Sequence, residues 1–151
     1  MRTRKNARIC FTVYCAGMLL LLFLRELPQG QQPYIHKMLS LLNPVPFETI
    51  THFLRLLGHP DSALVRLAAV NLFGNVIMFI PLGLLLPAAF PALRSWWKTL
   101  AVAAGGIAAV ELGQMLTLLG TCDVDDLILN LLGAAMGWGL FLLFREKRKQ
   151  A

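Results

Sequence analysis

"ELGQMLTLLGTCDVDDLILNLLG", residues Glu111–Gly133, holds four carboxylates, a Gln and an Asn between apolar runs. The surrounding chain is oily. Hydrophobic residues make up 57% of its 151 residues, mean hydropathy is +0.64, and only 15% are charged. Soluble domains carry about 25% charged residues. The stretch therefore reads as two membrane spans joined by a short acidic loop. The length is that of one domain, and we expect residues 1–151 to form a single membrane domain.

Working outward, four apolar runs appear, at residues 9–24, 70–90, 97–119 and 127–144. A span needs about 20 residues. The first run is short and must borrow flanking residues or thin the bilayer. Backbone amides in lipid must bond within their own segment, so each run is a helix. The expected fold class is all-α, an integral membrane bundle of four transmembrane helices. The first run is expected to be an uncleaved anchor, because it ends in "LRELPQG" without a small-x-small cleavage site.

Charge sets the expected orientation. Arg2, Arg4, Lys5 and Arg8 precede the first run, Arg94 and Lys98 flank the third, and Arg145, Lys147, Arg148 and Lys149 follow the fourth. The 120–126 loop has three Asp and no Lys or Arg. Short basic loops stay cytoplasmic. Both termini are thus expected inside, with 25–69 and 120–126 outside. The net charge of +6 reads as topology and contact with anionic lipids. No aromatic-interleaved basic groove is present, so no nucleic-acid partner is expected.

Within 25–69, Pro44 and Pro46 set a rigid turn. Phe47, Ile50, Phe53, Leu54 and Leu57 then recur at helical spacing among Glu48, Thr51, His52 and Arg55. This predicts an amphipathic interfacial helix in the first outer loop. Gly58 and Pro60 end it, and Asp61 or Ser62 caps the next helix. His36, His52 and His59 lack metal-ligand spacing, so no zinc site is expected. Cys10, Cys15 and Cys122 are expected to be free, since mid-membrane Cys15 cannot approach the surface Cys122.

The spans carry polar residues at matching depth. Asn71 and Asn75 share a helix face. They act either as glue between helices or as part of a site. Gly74 is expected to admit a neighbouring helix, and Pro81 to kink the span. Glu111 and Gln114 share a face of the third span, about 12 Å of helix from its outer end for Glu111. A carboxylate there is paired, wet or protonated. Arg25 and Arg66 are the nearest cations. Ala101, Gly105, Ala109 and Gly113 form a small-residue row suited to close packing. One of Asp123, Asp125 and Asp126 suffices to cap the fourth span; three exceed that need. Asp126 and Asn130 share a face that Gly133 and Gly137 continue as a GxxxG motif. We expect Asn71, Asn75, Glu111, Gln114, Asp123, Asp125, Asp126 and Asn130 to build one outward-facing polar cleft.

The ordered series "NPVPF", "NLFGNVIMFIPLG", "ELGQ" and "DVDDLILNLLGAAMGW" resembles the VanZ family of small bacterial membrane proteins, over about Asn43 to Trp138. The resemblance implies a bacterial inner-membrane protein. It also implies a link to low-level resistance to teicoplanin-type glycopeptides, the trait of the founding member. The family's signature polar positions fall on Asn75, Glu111, Gln114, Asp123, Asp125, Asp126 and Asn130. Many members place a basic residue shortly before the acidic stretch. Gly120-Thr121-Cys122 stands there in this chain, so an anion clamp is not expected in the loop.

The leading expectation is a protein without visible catalytic machinery. Its partners would be membrane lipids or a lipid-linked envelope component, bound in the cleft. Two alternatives stay open. One is an intramembrane enzyme acting on a lipid-linked substrate, with the three Asp holding a divalent cation and Glu111 as general base. The sequence has no nucleophile elbow, phosphate loop or HExxH, and no cofactor is expected. The other is a proton-coupled transporter subunit, which with four spans requires a homo-oligomer.

Overall fold

The structure is a computed structural model and describes residues 2–23 and 33–150. Six α-helices account for most of the described residues. In chain order they are α1 (Arg2–Phe23), α2 (Tyr34–Ser40), α3 (Glu48–Leu56), α4 (Ser62–Ala89), α5 (Trp96–Leu116) and α6 (Val124–Gln150). A short 3-10 turn, Pro91–Leu93, links α4 to α5. Helices α1, α4, α5 and α6 are long and apolar enough to cross a membrane. The protein is a multi-pass membrane protein, and α3 is the amphipathic helix that the loop pattern predicts.

Element ends differ from expectation for local reasons. The first helix borrows its flank and starts at Arg2. Helix α4 starts at Ser62 because Asp61 accepts a 2.8 Å hydrogen bond from the Ala63 amide. It runs through Pro81 and Pro87 without losing helical geometry. Helix α5 stops at Leu116 because Leu118 turns left-handed (φ 59°). The Leu119 amide then bonds the Gln114 carbonyl at 2.9 Å, and the Leu118 amide bonds that of Met115 at 3.1 Å. That is the Schellman pattern, with leucine where glycine is usual. Glu111 is consequently five residues from the helix end, about 7.5 Å rather than about 12 Å.

The α4–α6 pair is the backbone of the bundle. A Cβ placed on Gly133 would overlap the Val76 carbonyl, and one on Gly137 would overlap the Ile80 carbonyl. The reciprocal glycine on α4 is Gly83, which faces the Ala134 carbonyl. Gly74, expected to admit a neighbouring helix, has only its own helix's Val70 nearby. Helix α5 packs through Thr99, Ala103, Ile107, Glu111 and Gln114, and a small core forms from Phe79, Ala103, Ile107 and Ala134. The row Ala101, Gly105 and Ala109 faces outward instead, and Gly105 meets nothing within 4 Å. Its last member, Gly113, does meet another helix, at Phe23 of α1. Small side chains permit close approach but do not cause it. The face that also carries Ile107, Glu111 and Gln114 gains more from burial and hydrogen bonding.

Helix α1 leans on α4, where the Tyr14 hydroxyl donates to the Met78 carbonyl at 2.8 Å. It has no fully buried side chain among its described ones. Val70, Phe73 and Ile77 make an exposed apolar stripe along α4, as a lipid-facing surface does. The two ends of the bundle differ in charge and composition. At one end lie Arg8 against the Phe90 ring, Lys98 over Trp97, and Trp138 donating to the Arg94 carbonyl at 3.2 Å. Aromatic and basic residues of this kind mark a membrane interface. Glu111, Asp123, Asp125 and Asp126 lie toward the opposite end. Arg25 lies outside the described residues, and Arg66 is exposed on α4.

Candidate functional site

The "TCDVDD" turn divides its three aspartates between two tasks. Asp123 caps α6: its Oδ1 accepts the Asp125 amide at 2.8 Å. Its Oδ2 accepts from the Thr49 hydroxyl at 2.6 Å and from Asn43 Nδ2 at 3.2 Å. Two-residue parallel strands, Leu42–Asn43 and Cys122–Asp123, hold these partners in register. Asp125 is completely buried. Its Oδ1 accepts the Phe47 amide at 2.5 Å and its Oδ2 the Ile50 amide at 2.9 Å. Those amides open α3, so a carboxylate on α6 caps a helix whose own N-cap, Phe47, supplies no side-chain cap. Phe47 is also left-handed (φ 65°), a conformation costing about 1–2 kcal/mol for a non-glycine residue. The bond to Asp125 holds it there.

Asp126 points elsewhere. Its Oδ1 accepts from Asn75 Nδ2 at 2.5 Å, which joins α6 to α4. Around this bond, Asn71 and Asn75 from α4, Glu111 and Gln114 from α5, and Asp126 and Asn130 from α6 line one cavity of about 130 Å³. Gly120 and Thr121 border it, placed there by the turn after α5. Several waters fit such a volume, since each occupies roughly 30 Å³ in the liquid. Gln114 donates to the Leu22 carbonyl at 3.0 Å, so α1 closes one side. Asn71 donates to the Leu67 carbonyl of its own helix at 2.8 Å. Asn130 is 3% exposed, and its Oδ1 has no hydrogen-bond partner among the described residues. Six of the eight polar residues singled out in the sequence thus surround one space, while Asp123 and Asp125 tie α3 to its rim.

Residues 11–145 match the VanZ/LLP1 family. The chain belongs to that family. No curated protein and no solved structure gives a significant match.

In this VanZ-family chain, the cavity gathers hydrogen-bonding side chains at one end of the bundle. Among the described residues, no three His, Cys, Asp or Glu side chains converge as metal ligands. The spacing Asp123, Asp125 and Asp126 suggests such a cluster, but the helix turn sends Asp126 away from the other two. Cys122, the cysteine nearest the cavity, has its thiol pKa pushed up by burial and then by the charges of Glu111 and Asp123. It is kept protonated, so it is a poor nucleophile. All three cysteines are free. Asn43 and Thr49 were the residues whose roles the sequence did not disclose. The "NPVPF" motif marks a turn at Asn43, but nothing local says that the turn is bonded to a residue eighty positions away.

Proposed function

We propose that this VanZ-family protein resides in the bacterial inner membrane and binds a lipid or lipid-linked envelope component in the polar cavity. In this reading the acidic end faces outward, both termini are cytoplasmic, and occupancy of the cavity influences susceptibility to teicoplanin-type glycopeptides. The observation that carries it is the convergence of six polar side chains from three spans on one partly enclosed space. Polar groups at membrane depth are costly and usually functional. A merely structural network would have no need of such space.

The test is a double-mutant cycle. Glu111→Gln and Asp126→Asn should each reduce the amount of lipid that co-purifies with the protein, and shift any teicoplanin phenotype of the host in parallel. The double variant should be little worse than the more severe single, because residues serving one ligand act as a unit. Membrane abundance is measured alongside, and Glu48→Gln on the exposed face of α3 serves as the silent control. Additive losses at equal abundance would overturn the single-site reading.

Orientation is tested separately. Single cysteines at Thr121 and Gln150 in a background lacking Cys10, Cys15 and Cys122 should label oppositely from outside intact cells. Thr121 is exposed at the cavity rim and should react, whereas Gln150 should not. The reverse pattern would place the cavity on the cytoplasmic side.

A further inference from the structure

A second cavity adjoins the polar one. It has about 200 Å³, lies between α1, α4 and α5, and is almost wholly apolar. Met18, Leu19, Leu82 and Gly106 line it and not the polar cavity, while Leu22, Phe79, Ile107 and Val110 border both. Tyr14 also lines it, with its hydroxyl committed to the Met78 carbonyl. Among the described residues, the thiol of Cys15 is the one other polar side-chain group there. The cleft exists because α1 leans on α4 and scarcely meets α5. An apolar cavity of roughly 150 Å³ holds a benzene ring, so this one accommodates a segment of a single hydrocarbon chain.

The polar half has a matching bias. Asn71, Asn75 and Gln114 each direct an amide hydrogen at an oxygen of the protein itself. Asn130 Oδ1, by contrast, is a buried acceptor with no donor among the described residues. A buried polar atom left in this state costs about 1–3 kcal/mol. The site lacks a donor there.

We infer that the two cavities are one site for an amphiphile, whose chain lies in the α1–α4–α5 cleft and whose head donates an O–H or N–H hydrogen bond to Asn130 Oδ1. This rests on the lipid-binding reading above and adds the class of head and the path of the chain. Hydroxyl-bearing and amine-bearing heads share the required chemistry. An ester or a quaternary ammonium of equal chain length does not.

The experiment uses the full chain in nanodiscs of a single phosphatidylcholine, titrated with four probes of equal chain length and followed by native mass spectrometry. The probes are a monoacylglycerol, a primary alkylamine, a fatty-acid methyl ester and an alkyltrimethylammonium. The first two should bind about tenfold tighter than the last two, as one buried donor–acceptor bond warrants. Asn130→Leu should erase that preference, and Asn130→Asp, which keeps an acceptor, should retain it for the monoacylglycerol. Gly106 lines the cleft and has nothing within 4 Å of a built Cβ, so Gly106→Leu adds bulk there and should weaken all four probes. Gly105→Leu, equally unobstructed but absent from the cleft lining, should weaken none. If the amine and trimethylammonium bind alike and only charge matters, the head assignment fails. Unchanged binding in Gly106→Leu would remove the chain from the cleft. Both results leave cavity binding itself intact. No binding of any probe, together with unaltered co-purifying lipid in Glu111→Gln, would sink the lipid-binding reading as well.

Discussion

Replacing Gly137 by leucine is expected to collapse the bundle. A Cβ at that position would overlap the Ile80 carbonyl and sit 2.9 Å from the Leu84 nitrogen. These are backbone atoms in the middle of α4, so no side chain can swing aside. The only relief is to part α4 from α6, the most extensive helix pair in the fold. Overpacking a core with flexible neighbours costs about 1–3 kcal/mol. With backbone as the obstacle we expect the upper end or beyond. Gly139, two residues on, has nothing within 4 Å of a built Cβ. Gly139→Leu should therefore stay within about 0.5 kcal/mol of wild type, as surface changes do. Thermal unfolding in mild detergent compares the two variants directly, and equal melting temperatures would mean the α4–α6 crossing is misassigned. Gly133→Leu, against the Val76 carbonyl, should resemble Gly137→Leu. The double variant should add little, since either change already separates the helices.

That crossing was half legible. Gly133 and Gly137 announce themselves by spacing, and a sequence reader finds the α6 half of the contact. On α4 the sequence singles out Gly74 as a point of close approach, beside the two asparagines, but the structure uses Gly83. Spacing identifies a surface that is able to approach closely and says nothing of which partner will do so. The same limit explains the Ala101–Gly105–Ala109 row, which looks like an interface and faces outward. The cavity was more readable, because polar residues in a span have few places to go. Asn71 with Asn75, Glu111 with Gln114, and Asp126 with Asn130 each obey helical spacing, and all six share one space. The apolar cleft left no trace in the sequence. The part of α1 that lines it, from Cys15 to Leu22, is apolar on every side, so nothing in its pattern tells which side will be left unfilled by α5.

The three aspartates show where the helical rule stops. Helix α6 begins at Val124. Asp123 therefore precedes the helix as its cap, and Asp125 and Asp126, being consecutive, point about 100° apart around it. One side of that turn meets Asn75; the other meets α3. The second partner lies more than seventy residues away, and only the folded chain reveals it. Grouping all eight residues in one cleft rests on their positions along the chain. It lacked the angle around the helix axis that separates site from support.

Asp125→Ala is expected to release α3 while the four spans stay folded. The wild-type carboxylate accepts the amides of Phe47 and Ile50 and is fully buried. Hydrogen bonds to a charged group contribute about 1.5–3 kcal/mol each. The same charge also sits at the positive end of the α3 dipole, worth up to about 2 kcal/mol more in a partly buried setting. Without it, Phe47 has no reason to remain left-handed, and relief of that strain favours opening further. Hydrogen exchange at the Ile50 amide should accelerate by about a hundredfold or more, the equivalent of losing roughly 3 kcal/mol of local stability. Trypsin should cut faster after Arg55, an exposed basic residue in the last turn of α3. Asp125→Asn should fall between, because its amide oxygen still accepts one backbone hydrogen while its NH2 confronts the other. Asp61→Ala is the informative control. It removes an ordinary cap, the 2.8 Å bond to the Ala63 amide, at a cost of about 1 kcal/mol and should leave exchange at Ile50 alone. Unchanged exchange at Ile50 in Asp125→Ala would mean that the burial of α3's apolar face on α4 and α6 holds the helix unaided, and the carboxylate would then lose its role as the clamp on the cavity rim.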